Sequence, residues 1–294
     1  MSSISIFAPA KLNLFLAVTG RRPDGFHELV SVVAQLDFGD TLRVDPAPSF
    51  SLRCDDPEVP TGGDNLGLKA ARAFATAAEW DGGAAFELEK RIPTGAGLGG
   101  GSSDAVAALR ALNQLVTAPH KLSLQTISQL AAQLGSDCPL FLEDGPVVMR
   151  GRGERIAPLP PEAVARLRGR RVLVFKPGFS ISTPWAYGQL VAGAPAMYVP
   201  PDEAERRVAA WIDSAAPAEE LGFNSMEPPA FTKFPALPVL LEELERRFGL
   251  RPRMSGSGSA CLALLSEETD AAPIGAAIRD AWGPSSFVRE ARLM

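Results

Sequence analysis

The chain has 294 residues, 46% hydrophobic and 21% charged, which predicts a soluble globular protein long enough for two domains. Its formal net charge of −5 argues against nucleic acid as the main partner, because binding to a phosphate backbone depends on clustered Lys and Arg. Three widely spaced cysteines and two histidines argue against a disulfide framework, a zinc ribbon and a His-rich metal site. The apolar runs are too short to predict a membrane span.

The first half of the chain predicts an antiparallel β segment followed by helices. The N-terminus lacks the charged and apolar regions of a signal peptide, so we expect a cytoplasmic protein. The tripeptide Asp37-Phe38-Gly39 matches a kinase magnesium motif by chance, and we place a strand end and a turn there. Predicted strands lie at residues 4–18, 30–36, 41–44 and 86–89, and predicted helices at about 65–79, 103–116 and 123–134.

The second half begins with short strands and a proline-rich stretch. Pro158-Leu159-Pro160-Pro161 predicts a domain boundary, with one domain over residues 1–160 and another over residues 161–294. A second segment rich in Gly and Ser, Ser255–Ser259, precedes a predicted strand, and a tight hairpin between two strands would explain it. Predicted strands lie at residues 147–149, 154–156, 172–175 and 260–265, and predicted helices near 184–191, 202–213 and 237–248.

A glycine-rich loop joins the strand at 86–89 to the helix at 103–116. Glycine allows positive φ angles and close approach of the backbone to a ligand. The first N–H groups of the following helix have no partner within the helix and carry the positive end of its dipole. Together these features predict a phosphate-binding loop, with Ser102 or Ser103 as the helix cap. The loop consists of Pro93, Thr94, Gly95, Ala96, Gly97, Leu98, Gly99, Gly100, Gly101, Ser102 and Ser103.

A flexible linker, a P-loop and a dinucleotide-binding loop each fit this segment less well. A linker usually lies in polar surroundings, whereas an apolar helix follows here. The P-loop motif requires a lysine before the hydroxyl residue, but this chain has glycine there. A dinucleotide-binding pattern of glycines is present, but no Asp or Glu lies between Asp104 and Asp137 to hold a ribose.

Three polar residues are candidates for chemistry. Asp137 lies between a helix-ending glycine and a proline, so it is a helix cap or a functional carboxylate, and the two roles are compatible. Lys11 lies just past an apolar strand, where most lysines are solvated. Asn13 is two residues further on, so both side chains would point to one face of the strand.

Three blocks of sequence, in this order and spacing, resemble the GHMP kinase superfamily. They are Pro9–Leu14, Pro93–Asp104 and Met254–Ser259. The resemblance covers essentially the whole chain and is densest in the first half. It implies a two-domain α+β GHMP kinase fold, with an N-terminal half like the second domain of ribosomal protein S5 and a ferredoxin-like C-terminal half.

The resemblance also implies ATP-dependent phosphorylation of an alcohol, with Mg²⁺ on the nucleotide and no protein metal ligand assigned. The glycine-rich loop would bind the ATP phosphates, and Asn65 and Leu66 would line the adenine pocket. The segment Ser255–Ser259 would close on the phosphates or support the glycine-rich loop. Asp64 beside them fits a helix N-cap equally well. Asp137 would accept the proton of the substrate hydroxyl, and Lys11 would keep that carboxylate ionised.

Within the superfamily, the stretches Ala8–Leu16, Arg22–Glu28 and Gly97–Asp104 resemble those of kinases whose acceptor is an alcohol joined to a diphosphocytidyl group. In those enzymes an aromatic ring and a histidine hold the cytosine, which implies stacking on Phe26 and a hydrogen bond to His27. They usually carry tyrosine where this chain has Phe26. Tyr187 would cover the other face of the base, with Trp185 as a rival. The implied substrate-binding residues are Asn13, Phe26, His27, Thr183 and Tyr187.

Two other functions stay open at this point. Another GHMP kinase would phosphorylate mevalonate, homoserine or a sugar, none of which has a base to stack. A non-catalytic nucleic-acid-binding module fits the half like ribosomal protein S5, but not the negative net charge. Ser136, Cys138 and Ser225 depart from the residues usual in the diphosphocytidyl branch. We expect a small-molecule substrate, no nucleic acid, no membrane, and a monomer or homodimer.

Overall fold

The computed structural model describes residues 3–294, which form two compact units of mixed α/β structure. The first unit contains the described residues up to Ala10, Phe38–Thr94 and Gly99–Asp144, and the second contains Lys11–Asp37, Gly95–Leu98 and Gly145–Met294. The chain therefore passes from one unit to the other several times. The expected domain boundary after residue 160 would divide the chain into two consecutive segments. It stays a prediction.

The described residues form eleven strands, nine α-helices and two 3₁₀ helices. The strands are β1 (Ile4–Arg21), β2 (His27–Ala47), β3 (Ser51–Cys54), β4 (Gly83–Glu89), β5 (Val147–Gly151), β6 (Arg155–Pro158), β7 (Arg171–Lys176), β8 (Phe223–Asn224), β9 (Arg253–Met254), β10 (Cys261–Leu265) and β11 (Phe287–Arg292). The α-helices are α1 (Leu66–Ala77), α2 (Gly100–Leu115), α3 (Leu124–Leu134), α4 (Pro161–Leu167), α5 (Thr183–Ala192), α6 (Pro201–Asp213), α7 (Glu227–Lys233), α8 (Ala236–Phe248) and α9 (Ala271–Trp282). Short 3₁₀ helices lie at Cys138–Leu142 and Ala218–Leu221. Within residues 3–294, no helix combines the length and apolar character needed to cross a bilayer.

The first unit places three helices beside a small sheet. The C-terminal part of β2 pairs antiparallel with β4, from Thr41 opposite Glu89 to Ala47 opposite Gly83. β3 adds to β4 in parallel. α1 packs against α2, and both bury apolar residues that recur at helical spacing, such as Phe74 in α1. These buried faces hold α2, and with it the end of the glycine-rich loop, in position.

The second unit contains further pairs of strands and a separate sheet. β5 pairs antiparallel with the N-terminal part of β2 and with β6, while β1 pairs in parallel with β8. A four-stranded antiparallel sheet has the order β11-β7-β10-β9, with Leu262 opposite Val174. Every residue of β10 is buried, which explains why its sequence is one apolar run instead of an alternating pattern.

The predicted turn at Asp37-Phe38-Gly39 is wrong, because β2 continues through it as one strand. A Cβ at Gly39 would clash with the backbone of Ala8 and Pro9 in β1. The glycine therefore allows two backbones to approach closely, and it does not reverse the chain.

The predicted cap of α2 is also wrong. The helix begins at Gly100, so Ser102 and Ser103 lie inside its first turn. The capping residue is Gly99, which has a φ of 74° in the left-handed region, and no side chain caps the helix. The end of the glycine-rich loop is thus part of the helix start itself.

Candidate active site

Residues 95–98 of the glycine-rich loop are held by backbone hydrogen bonds within the second unit. Leu98 O accepts from Lys11 N at 2.9 Å, which ties the loop to β1. Ala96 O accepts from Ala260 N at 3.1 Å, just before β10. This part of the loop is therefore fixed by its neighbours and is not a flexible linker.

The segment Ser255–Ser259 has both of the roles expected for it. It joins β9 to β10, which pair antiparallel with Met254 opposite Cys261, so it is a hairpin connection. It also packs against the glycine-rich loop: a Cβ on Gly97 would lie 3.0 Å from Gly258 O and 3.1 Å from Ser255 O. Gly97 has a φ of +78°, so glycine is required there both by conformation and by space.

Lys11 and Asn13 lie on the same face of β1, as the period of a strand predicts. Lys11 Nζ donates to Asn13 Oδ1 at 2.6 Å, and Asn13 Nδ2 donates to Ser31 Oγ at 2.8 Å. Asn13 N donates to Ser255 Oγ at 3.1 Å. Lys11 is 6% exposed and Asn13 is 8% exposed. The ammonium group is thus oriented in a buried setting, where its field on a nearby anion is stronger than in water.

Asn224 ties the segment Ser255–Ser259 to the rest of the second unit, a role that the sequence did not reveal. Its Nδ2 donates to Met254 O at 2.7 Å and to Gly256 O at 2.8 Å, and its Oδ1 accepts from Met226 N at 2.9 Å. Hydrogen bonds to residues 30 or 32 positions away leave no periodic signal in a sequence. The neighbouring Ser225, a departure from the related kinases, accepts from Val18 N at 2.9 Å.

Thr183, the first residue of α5, also contacts this segment. Its Oγ1 lies 2.8 Å from Ser257 Oγ, so the two hydroxyl groups share a hydrogen bond. The structure thereby brings one of the predicted substrate-binding residues to the second Gly/Ser segment.

Two of the predicted base-binding residues, His27 and Tyr187, lie side by side as an aromatic cluster in the second unit. The ring of His27 lies 4.6 Å from the ring of Tyr187, centroid to centroid. Phe26 is 48% exposed, and the guanidinium of Arg152 lies 4.7 Å from the centroid of its ring. Arg152 was not predicted from the sequence, because a cation over an aromatic ring depends on tertiary packing.

A tight turn presents Phe26. Phe26 N donates to Asp24 Oδ1 at 3.1 Å, and Gly25 has a φ of +86°. The Pro-Asp-Gly sequence predicted this turn, since Asp binds the backbone two residues on and Gly supplies the positive φ.

Trp185 lies in a different environment from Tyr187. Its ring packs edge-on against Phe234 at 5.6 Å, and Lys233 Nζ lies 4.2 Å from its centroid. Tyr187 is therefore the ring of α5 that lies beside His27.

The imidazole of His27 is held in its neutral form. Burial lowers its pKa, and the positive charge of Arg21 lowers it further. A neutral imidazole offers one hydrogen-bond donor and one acceptor, which suits the polar edge of a base.

A buried ion cluster in the first unit anchors both ends of the glycine-rich loop. Lys90 Nζ donates to Asp40 Oδ2 at 2.5 Å and to Asp104 Oδ2 at 2.7 Å. Asp40 Oδ1 accepts from Arg91 N at 2.5 Å and from Ile92 N at 2.7 Å. The backbone that enters the loop and the helix that leaves it are therefore joined through one lysine.

The ion cluster carries two carboxylates for one ammonium. Burial raises the pKa of Asp104 to about 7; Lys90 opposes this rise and Asp40 adds to it. Burial lowers the pKa of Lys90, but the two carboxylates outweigh that effect and raise it overall. Asp104 therefore gains or loses a proton near neutral pH, which adjusts the net charge under the start of α2.

Asn65 caps α1, so the interpretation of Asp64 as the cap is wrong. Asn65 Oδ1 accepts from Gly67 N at 2.8 Å. Asp64 is exposed and lies 3.7 Å from Lys69 Nζ at the surface. The role of Asn65 and Leu66 in an adenine pocket stays a prediction.

Asp137 immediately precedes the 3₁₀ helix Cys138–Leu142. The predicted helix start is confirmed, with Asp137 at the N-cap position, but its side chain makes no capping hydrogen bond to that helix. Burial raises the pKa of the neighbouring Cys138 thiol to about 11, although a hydrogen bond with Ser102 opposes the rise. Cys138 is thus an uncharged thiol, and Asp137 is the acidic group of this turn.

Comparison with known proteins adds an independent finding. Family models match the chain for the GHMP kinases N terminal domain over residues 65–145 and for the GHMP kinases C terminal over residues 205–284. The 4-diphosphocytidyl-2-C-methyl-D-erythritol kinase of Salinibacter ruber is 40% identical over 266 residues, which cover 90% of either chain.

Solved structures agree with these matches. A crystal structure of 4-(cytidine 5'-diphospho)-2C-methyl-D-erythritol kinase is 39% identical with a TM-score of 0.75, covering 98% of this chain and 99% of that one. The mevalonate kinase of Methanococcus jannaschii is 15% identical with a TM-score of 0.73, covering 100% and 99%, and this likeness shows the fold alone.

We predict that Gly97→Ala destabilises the protein more than Gly169→Ala does. Both glycines have positive φ, but a Cβ on Gly169 meets nothing within 4 Å, whereas one on Gly97 meets backbone oxygen atoms. The control should cost about 1 kcal/mol from conformation alone, and Gly97→Ala at least about twice as much. Denaturant unfolding of both variants measures the difference, and equal losses would contradict the packing role of Gly97.

We also predict that Asp104→Asn changes how stability depends on pH. The folded-state pKa of Asp104 is raised to about 7 from 3.8, so the folded protein holds a proton that the unfolded chain releases. The stability of the wild type therefore falls as pH rises between these values, and Asp104→Asn removes that fall. The difference in melting temperature, variant minus wild type, should increase by on the order of 5 °C between about pH 5 and pH 8.

The exposed Asp280 supplies the control for this experiment. Asp280→Asn should track the wild type across the same pH range. Parallel curves for Asp104→Asn and the wild type would count against a protonated Asp104 in the buried cluster.

Proposed function

This chain belongs to the GHMP kinase family, and on that premise we propose that it phosphorylates the 2-hydroxyl of 4-diphosphocytidyl-2-C-methyl-D-erythritol with ATP. This reaction is a step of the non-mevalonate (methylerythritol phosphate) pathway of isoprenoid biosynthesis. The names of the similar kinases support this acceptor. The observation that carries the choice is the aromatic cluster around His27, because mevalonate, homoserine and sugars have no base to place there.

Phe26, His27 and Tyr187 provide two faces and one polar edge for the cytosine. Aromatic stacking contributes about 0.5–1.5 kcal/mol per pair beyond the area buried. Phenylalanine at position 26 keeps the stacking face and lacks only the hydroxyl of the usual tyrosine. Tyr187 supports the second face better than Trp185 does, because its ring lies beside His27. Arg152, beside the ring of Phe26, brings a positive charge that suits the diphosphate of the substrate.

We assign proton transfer to Asp137 and electrostatic support to Lys11. The hydroxyl oxygen of the acceptor forms a bond to the γ-phosphorus while the bond to the departing ADP oxygen breaks, and Asp137 accepts the hydroxyl proton. The oriented ammonium of Lys11 would keep the base ionised and stabilise developing negative charge.

Asn13 and Thr183 have supporting roles in this proposal. The amide of Asn13 already binds Lys11 and Ser31, so its contribution is to orient the ammonium and shape the substrate site. Thr183, whose hydroxyl meets Ser257, would position the acceptor from α5.

The loop from Pro93 to Ser103 is the proposed segment for the ATP phosphates, with Asn65 and Leu66 near the adenine. No side chain caps α2, so the first N–H groups of that helix are not taken by a capping group. The Ser103 hydroxyl at this helix start is buried and has no partner among residues 3–294, which fits a polar group supplied by a ligand.

Mg²⁺ is proposed to bind mainly through the nucleotide. Among residues 3–294, no group of three or more His, Cys, Asp and Glu is placed to hold a metal ion. In enzymes that act on nucleotides, Mg²⁺ usually binds through substrate phosphates, water and one or two carboxylates. When bound, the ion neutralises phosphate charge during transfer.

We place the protein in the cytoplasm as a monomer or homodimer, acting on small molecules only. Its three cysteines, Cys54, Cys138 and Cys261, are free thiols, as is usual in a reducing compartment.

The decisive experiment measures ADP release with the diphosphocytidyl alcohol in the wild type and in Asp137→Asn. We expect the substitution to lower kcat by about 10²–10⁴-fold, because a positioned base contributes that much, while ATP binding is retained. Lys11→Met should lower kcat as well, and the exposed Asp280→Asn is the matched control.

Each part of the proposal has its own contradicting result. Equal turnover of mevalonate, homoserine or a sugar would refute the acceptor. Full activity of Asp137→Asn would refute the base while leaving the acceptor intact.

A further inference from the structure

Tyr198 lies beside the aromatic cluster but has no part in the function proposed so far. Its ring centroid is 6.1 Å from that of His27, at an interplanar angle of 55°. The chain contains two tyrosines, and both rings neighbour His27, since Tyr187 lies 4.6 Å away.

Two buried polar atoms of this cluster lack a hydrogen-bond partner within the described range 3–294. They are the hydroxyl oxygen of Tyr198 and Nε2 of His27. Leaving a buried hydroxyl unsatisfied costs about 1–3 kcal/mol, so native proteins satisfy nearly all such groups. Two unsatisfied atoms on neighbouring rings therefore indicate a bound molecule with a polar edge.

Backbone hydrogen bonds fix the position of Tyr198. Tyr198 N donates to Pro195 O at 3.0 Å, and Val199 N donates to Val18 O at 3.0 Å. Val18 belongs to β1, so the tyrosine is attached to a long strand of the second unit. A hydroxyl held in this way can select between ligands by geometry.

The chemistry of the two groups suits a pyrimidine edge. A tyrosine hydroxyl can both donate and accept a hydrogen bond. A neutral imidazole donates at one nitrogen and accepts at the other. Cytosine presents an amino donor next to a ring acceptor, whereas uracil presents an oxygen acceptor next to a ring N–H. The discrimination requires that His27 carries its proton on Nε2. That N–H donates to the ring acceptor of cytosine while the Tyr198 hydroxyl accepts from the amino group, whereas uracil would set its own ring N–H against the imidazole N–H and leave both unpaired.

We propose that the Tyr198 hydroxyl and His27 Nε2 together hydrogen-bond the polar edge of the base, which makes Tyr198 a residue that selects cytidine over uridine nucleotides. This inference rests on the proposed function, because it names a further contact in the same base site.

Tyr198→Phe tests the inference, since it removes the hydroxyl and keeps the ring. Titration calorimetry with cytidine diphosphate and with uridine diphosphate gives the dissociation constants without any need for turnover. We expect the constant for cytidine diphosphate to rise about tenfold, the loss of one buried hydrogen bond, and the preference for cytidine to shrink by a similar factor. The KM for ATP should stay within about twofold, since Tyr198 lies outside the loop Pro93–Ser103 proposed for the ATP phosphates.

Thr232→Val is the matched control, because it deletes one hydroxyl on the exposed helix α7, where Thr232 Oγ1 donates to Pro228 O at 2.9 Å. It should leave both nucleotide constants unchanged. An unaltered preference in Tyr198→Phe would overturn the inference, and so would an equal loss of affinity for both nucleotides and ATP, the pattern of a purely structural role. A wild type that selects cytidine diphosphate but does not phosphorylate the alcohol would refute the proposed function alone.

Discussion

The glycine-rich loop depends on an interaction outside itself, the buried ammonium of Lys90 between Asp40 and Asp104. A run of glycines has high conformational entropy when unfolded, so a loop built from them needs fixed ends. Asp40 fixes the entering backbone and Asp104 fixes the departing helix, with Lys90 as their link. Removing Lys90 from this buried group is expected to cost about 3–5 kcal/mol, because its two carboxylates would be left without a cation. Burial raises the pKa of Asp104, and the second carboxylate, Asp40, adds to that rise while Lys90 opposes it.

The middle of the loop is fixed by a different means, close contact between backbones in the second unit. Gly97 leaves no room for a side chain against Gly258, and Gly256 leaves none against Asn13 Oδ1, which would lie 3.0 Å from a Cβ. These contacts connect the loop to the residues that orient Lys11. The positions that a sequence motif marks as glycine are thus explained by what lies beside each of them, and not by flexibility.

The sequence predicted the elements whose signal is local. Apolar periodicity placed α1, α2, α3, α5, α6 and α8 within a few residues, and alternation or apolar runs placed β1, β4, β5 and β7. It did not predict the short elements α4, α7, β8 and β9, which contain too few residues for a period to show, and it also missed β3, α9 and β11. The continuous β2 was misread because Gly39 was interpreted by its turn propensity, whereas its reason is tertiary contact with β1. Motif and family resemblance named Lys11, Asp137 and the loop, but long-range partners such as Asn224 and the Lys90 cluster needed coordinates.

Recognition of a base far from the reacting hydroxyl has a consequence for how this kinase would use binding energy. Contacts to the cytosine are the same before and during phosphoryl transfer, so by themselves they lower KM without raising kcat. They raise the rate of the chemical step only if binding of the base also fixes the position of the reacting hydroxyl. Binding energy then contributes to orientation. The proposed base site has the rigidity this requires, because His27 begins β2, Tyr187 lies on α5, and Phe26 is set by a closed turn. In this proposal the base would position the small, flexible alcohol as the glycine-rich loop would position ATP, and each substrate would be held at a site separate from the bond that forms.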